Sequence, residues 1–156
     1  MTTFWQENQV GGPYATVEES EEALRERNER FEGLLSLMPV EYTGQTVLDY
    51  GCGPGHDTIL FLRYRAAHVY YADISWLALK ITTERLEMHG LSKNATALFA
   101  DDDEMPVVDH VHCAGVLHHV HDPIGVLQKL RRALKPGGTA RIMVKQSFLA
   151  HIAVIE

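Results

Sequence analysis

Two cysteines in 156 residues, Cys52 and Cys113, cannot make a disulfide framework, and their scarcity fits a reducing compartment. No apolar run approaches the roughly 18 residues that a transmembrane helix needs. Met1 to Gly12 contain neither a basic start nor an apolar stretch, so no signal peptide is read and a cytoplasmic location is expected. Cations are scarce too. Fourteen Lys and Arg face 21 Asp and Glu, and a net charge of −7 leaves no electrostatic footprint for a nucleic-acid backbone or an anionic membrane. Internal repeats, low-complexity segments and interior linkers are absent as well.

What is present has the composition of one ordinary globular domain, 46% apolar and 22% charged. Residues 1–40 read as a lead-in and a helix. Trp5 and Tyr14 flank the Gly11-Gly12-Pro13 break, and Thr16 with Glu19 forms a capping-box signal. Val17, Leu24, Phe31 and Met38 then recur every seven residues, widened by Leu34 and Leu35, which predicts a core-facing helix ending at Pro39. The same spacing suits a coiled coil, but about three heptads inside one domain favour ordinary packing. Glu21–Arg25 and Glu26–Arg30 are expected as i,i+4 pairs on the solvated face.

Residues 41–156 form the second unit, in which short strands alternate with helices. Strands are expected at 46–50, 68–72, 95–100, 110–115 and 139–144. Helices are expected over roughly 56–66, from Trp76 to a stop at Gly90, and from an Asp122-Pro123 start to Pro136. This alternation predicts an α/β fold, an open, mostly parallel sheet with right-handed crossovers. A ligand crevice in such a sheet lies outside the carboxyl ends of the strands.

The unusual residues stand at those ends. After the first strand comes Asp49-Tyr50-Gly51-Cys52-Gly53-Pro54-Gly55, whose glycines admit a tight turn and a close ligand. Asp73 follows the second strand, placed to accept from ribose hydroxyls. Asp101-Asp102-Asp103-Glu104 follows the third, and Leu117-His118-His119-Val120-His121 the fourth. One ligand touching all four ends would be a nucleoside with a tail. The spacing is Gly-x-Gly-x-Gly, with His56 where a dinucleotide fingerprint needs its last glycine, and no Walker Lys-Ser/Thr pair is present. Acidic residues on three strand ends suit a ligand carrying an ammonium, a ribose and an adenine amino group.

The stretches Val47 to Gly55, Ala72 to Ser75, Val116 to Val120 and Leu134 to Gly138, in that order, resemble the Rossmann-like S-adenosylmethionine-dependent methyltransferases, in the small-molecule branch with a Leu-His-His motif. The resemblance runs from about residue 44 to 146. It implies a three-layer, doubly wound sheet of five strands in the order 3-2-1-4-5, and S-adenosylmethionine as cofactor with S-adenosylhomocysteine as product. Carried over by position, Asp49, Gly51, Cys52 and Gly53 would line the methionine end, Asp73 would hold the ribose, and Ile74 would pack on the adenine. Asp101 would accept from the adenine amino group beside the backbone of Asp102. Ala114 and Gly115 would pass near the sulfonium, and His118 and His119 would face the acceptor as candidate general bases. The family's sheet continues with an antiparallel hairpin, whereas only Gln146 to Glu156 follow the fifth strand here. The chain therefore reads as C-terminally truncated, with its apolar tail covering the fifth-strand edge or joining a second copy there.

Plainer readings stand beside these. Asp102, Asp103 and Glu104 suit a solvated loop, and the two cysteines suit packing, as do Trp5 and Trp76. Tyr14 suits an N-terminal cover over the site. Five histidines between residues 110 and 121 suggest a metal, but His110 and His112 alternate within a strand while His118 and His119 lie past its end, too far to share one ion. The functional expectation is methyl transfer to a small-molecule acceptor. The alternatives are a cofactor-binding but inactive or regulatory domain and, further off, a nicotinamide-dependent oxidoreductase.

Overall fold

A computed structural model describes residues 2–8, 10–35, 41–101, 104–145 and 150–155. Strand β1 (Thr46–Tyr50) is buried along four of its five residues, the pattern of a parallel strand covered on both faces. Strand β2 (His68–Asp73) pairs with one edge of β1, and β3 (Ala95–Phe99) lies outside β2. Strand β4 (Val108–Ala114) takes the other edge of β1, and β5 (Leu134–Lys145) lies outside β4. These five strands are parallel in the order β3-β2-β1-β4-β5, as expected, and the order reverses between β1 and β4. The reversal opens the crevice.

A sixth strand corrects the five-strand expectation. Strand β6 (Ala150–Ile155) runs antiparallel to β5, with Lys145 opposite Ala150 and Ala140 opposite Ile155. The apolar tail thus satisfies the backbone groups of the β5 edge within the same chain. Strand β5 also starts earlier than expected, at Leu134, because the ladder with β4 shifts register between Val108 and His110 around the Pro136-Gly137-Gly138 stretch.

Helices α1 (Thr2–Glu7), α2 (Val17–Arg30) and α3 (Glu32–Leu35) precede the sheet. Thr16 Oγ1 accepts from the Glu19 N–H at 3.2 Å, and Glu19 Oε2 accepts from the Ala15 N–H at 2.8 Å, so the capping signal works one residue wider than a strict box. The seven-residue stripe does not form a core face. Leu24 is buried, but Val17 and Phe31 are each more than a third exposed, because the helix ends at Phe31 and turns Ser20 and Leu24 inward instead. Met38 and Pro39 lie outside the described residues. Glu21 also leaves its expected partner and reaches Arg63 and His89, while Arg25 pairs with Glu22 and Glu29.

The crossovers are α4 (His56–Arg63), α5 (Trp76–Met88) and α6 (Pro123–Arg132). Ser75 Oγ caps α5 through the Ala78 N–H, and Asp122 Oδ1 caps α6 through the Gly125 N–H at 2.9 Å. One core, with Leu48, Val111, Cys113, Ile142 and Leu130, lies between the sheet and α6; another, with Ile59, Leu60, Tyr71, Leu79 and Leu86, lies under α4 and α5. No helix among the described residues is long and apolar enough to cross a membrane.

Candidate active site

The turn from β1 into α4 needs backbone that only glycine adopts freely. Gly51, Gly53 and Gly55 have φ of 80°, 52° and 78°. They differ in what surrounds them. A Cβ on Gly51 would run into Val116 Cγ2, and one on Gly55 would come within 2.7 Å of Thr82 Cγ2, so both are packing glycines. A Cβ on Gly53 would meet nothing within 4 Å. Of the three, Gly53 is the one whose missing side chain borders open space.

A cavity of about 650 Å³ opens there, walled by Gly51, Cys52, Gly53, Asp73, Ile74, Ala114, Gly115 and His119, the carboxyl ends of β1, β2 and β4. Asp73 joins two of these ends: its Oδ2 accepts from the Gly53 N–H at 3.0 Å and its Oδ1 from the Ser75 N–H at 2.9 Å. Burial pushes the Asp73 carboxyl up despite those backbone donors. A second cavity of about 340 Å³ shares Tyr50, Ile74, Ala100 and Val120 with the first and adds Asp101. Asp101 therefore lines a cavity that continues from the first one past Ile74. Asp102 and Asp103 lie outside the described residues.

Other expected residues take different places. Asp49 is buried off the cavity wall, where its Oδ2 accepts from Thr58 Oγ1 at 2.6 Å and burial pushes its carboxyl up to about 6. Its position in β1 points the side chain beneath α4, not into the loop. Of the histidine pair, only His119 lines the cavity; its ring packs at 4.0 Å on exposed His118 and at 5.0 Å, edge-on, against Trp5. Trp5, expected only to pack, is thus part of the wall. Gln6 Nε2 donates to Ile74 O at 3.2 Å, and Tyr14 lines the same cavity under the Arg85 guanidinium. Helix α1 and the following loop cover the site. Trp76, also expected to pack, is 61% exposed and stacks flat on Phe99 at 4.4 Å.

Sequence reasoning missed a buried polar group at the inner end. His112 on β4 stands in register between Asp49 on β1 and Arg141 on β5. Arg141 Nη1 lies 3.5 Å from His112 Nδ1, and a guanidinium only donates, so Nδ1 accepts and His112 Nε2–H donates to Asp57 Oδ2 at 3.1 Å. Arg27 Nη2 also donates to Asp57 Oδ2, at 2.5 Å. Burial pushes the Asp57 carboxyl up, but His112 and Arg27 overcome it and hold it below the usual carboxylate range. Arg27, His56, Asp57 and Arg141 all line the cavity. Burial and the Arg85 and Arg27 charges pull His56 down to about 3, so its ring is neutral; its Nδ1 accepts from Arg85 Nη1 at 3.1 Å, which leaves the proton on Nε2. The signal for this group was available: a histidine and an arginine inside otherwise apolar strands are rarely buried without partners. His110, the other strand histidine, bonds Thr139 Oγ1 at 2.8 Å beside Tyr42 and Phe61. Both cysteines are buried; burial pushes the Cys113 thiol up to about 12 and the Cys52 thiol well up. Among the described residues no three His, Cys, Asp or Glu side chains gather as a metal would require.

Comparison with known proteins adds four findings. The methyltransferase-domain family matches residues 48–140. The trans-aconitate 2-methyltransferase of Variovorax paradoxus is 32% identical over 120 residues, 76% of this chain and 45% of that protein. The ubiquinone biosynthesis O-methyltransferase of Paraburkholderia xenovorans is 30% identical over 129 residues, 71% of this chain and 53% of that one. Among solved structures, an S-adenosylmethionine-dependent methyltransferase from Mesorhizobium loti has a TM-score of 0.63 at 24% identity, over 75% of this chain and 54% of its own; it speaks for the fold. The chain spans about half the length of these relatives.

Proposed function

Since the chain belongs to the methyltransferase-domain family, within the Rossmann-like S-adenosylmethionine-dependent class, we propose that it transfers a methyl group to a small-molecule acceptor by in-line displacement. The observation that carries the reading is the pairing of Gly53, open to the cavity, with the Asp73 carboxylate at its side. When bound, S-adenosylmethionine supplies a methyl group already activated by its sulfonium, so the protein's part is binding and orientation.

Asp73 accepts from the ribose hydroxyls, as a carboxylate raised by burial gains most from such donors. Ile74 packs on the adenine, and Asp101 accepts from its amino group at the neighbouring cavity. Gly51, Cys52 and Gly53 form the loop beside the methionine end, with Gly115 across from them. Asp49 and the backbone of Asp102 were the other cofactor candidates. Asp49 acts behind the loop, through Thr58 and α4. His119 takes a proton from the acceptor, and His118 orients its ring from outside. Residues 1–40 serve as a cover and 41–156 as the cofactor-binding unit, supported by Trp5 and Tyr14 on the wall. The acidic surface favours a partner other than nucleic acid. The two buried free cysteines fit the cytoplasm, and any self-association would use the outer edge of β6, since β6 occupies the β5 edge.

Calorimetry decides the cofactor. Binding of S-adenosylmethionine and S-adenosylhomocysteine, with neither nicotinamide dinucleotide bound, is the expected result. Turnover on a panel of acceptors then separates an active enzyme from a binding-only domain.

A further inference from the structure

The cavity has two unlike sides, and the difference bears on the acceptor; the argument rests on the methyltransferase reading. The side built by β1, β2 and β3 carries the carboxylates Asp73 and, in the neighbouring cavity, Asp101. The side built by α2 and β5, across β4, carries the guanidinium groups of Arg27, Arg30 and Arg141. Three of the 14 basic residues of a chain with net charge −7 therefore share one wall. The same wall carries the Asp57 carboxylate, whose Oδ2 receives Arg27 and His112 and whose buried Oδ1 has no hydrogen-bond partner among the described residues, and Glu26, exposed on α2.

Arg141 is the buried member, and its place is set from behind by the bond to His112. It stands two residues before Met143 on the same face of β5, and Met143 O accepts from the Gly115 N–H at 3.0 Å. Arg141 lines the same cavity as Gly115 and His119, with its guanidinium turned toward His112. Phe31, under the Arg27 guanidinium at 5.6 Å, and Val116 and Met143 supply apolar wall beside it. A planar fork of donors next to apolar surface matches a carboxylate on an apolar body. We propose that the methyl acceptor is a carboxylic acid, its carboxylate held at the Arg27–Arg30–Arg141 wall and its apolar part against Phe31 and Met143.

The test is calorimetry on the full chain saturated with S-adenosylhomocysteine, titrated with trans-cinnamate and adipate and with their uncharged amides. The acids should bind about tenfold tighter than the amides, the worth of one charge-assisted hydrogen-bond pair. Arg141→Met and Arg30→Met should each cut that preference severalfold and leave amide affinity in place. Arg30 is exposed, so its variant keeps the test open even where Arg141→Met does not fold. Equal binding of acid and amide by the wild type, or a preference unmoved in the variants, overturns the proposal. So does an arginine loss that weakens S-adenosylhomocysteine but not its decarboxylated analogue, because the wall would then serve the cofactor's own carboxylate. If the wild type binds no adenosine ligand, the methyltransferase reading falls and this proposal falls with it, whereas a wild type that binds S-adenosylhomocysteine but treats acid and amide alike overturns this proposal alone.

Discussion

Replacing Gly51 and Gly53 by alanine, one at a time, tests whether two glycines two residues apart have different roles, packing at Gly51 and the proposed cofactor contact at Gly53. Both have left-handed backbone, so either alanine costs about 1–2 kcal/mol of folding stability. At Gly53 that is the whole cost, because its Cβ meets nothing within 4 Å. At Gly51 the new methyl meets Val116 Cγ2, on a β-branched side chain with little freedom to turn away. Overpacking adds about 1–3 kcal/mol there. For a domain of this size about 2–4 °C of Tm corresponds to each kcal/mol. Gly53→Ala should therefore lose about 2–8 °C, and Gly51→Ala about 4–20 °C. Cofactor affinity should run the other way, with Gly53→Ala crippled at a temperature where it is fully folded. Differential scanning calorimetry and titration with S-adenosylhomocysteine measure both quantities on the same samples. A Gly53→Ala protein that binds normally, or one that melts as low as Gly51→Ala, would refute the assignment of the open space at Gly53 to the cofactor.

Asp73→Ala removes the acceptor that ties Gly53 to Ser75, so affinity for S-adenosylhomocysteine should fall by about 1.5–3 kcal/mol, and Tm should drop as well; unchanged affinity in a folded variant takes Asp73 out of the site. His119→Ala should lower turnover about 10²–10⁴-fold with cofactor affinity kept, whereas His118→Ala, off the cavity wall, should cost far less; equal losses in the two would return the pair to a joint role. Stability should fall by several degrees of Tm from pH 7 to 5. Burial lowers His56 to about 3 and His110 to about 4, so below pH 6.5 the unfolded chain takes up protons that the folded chain refuses, and this stability is present above 6.5 and lost on acidification. Asp49, raised to about 6, acts oppositely, gaining stability as pH falls from 6 toward 4, and Asp73, also raised by burial, adds to it, while burial lowers His89 and adds to the histidine side. His110→Phe, packed by Tyr42 and Phe61, should flatten the acid slope; an unaltered slope in urea titrations at both pH values would show that His110 is not its source.

Local signals carried far in this chain. Alternating apolar strands and helices, the Gly51-x-Gly53-x-Gly55 turn, and Asp73 at the end of β2 identify the parallel sheet and its crevice, because turn chemistry and burial on both faces act over a few residues and leave a readable pattern. The same locality explains the caps at Thr16, Ser75 and Asp122. What depends on contacts between distant residues was not legible. The seven-residue stripe of α2 predicted a core face, yet which side of a helix is buried depends on its neighbours, and these turned Ser20 and Leu24 inward. Asp49 and Asp57 are both acids near the glycine loop, but strand alternation buries the first beneath α4 while the first turn of α4 brings the second to the cavity wall. Only tertiary structure set His112 between Asp57 and Arg141, brought Trp5 across to His119, and laid β6 along β5. Local sequence chemistry determined which candidate groups stand at each strand end; packing between elements far apart in sequence decided which of those groups share one cavity.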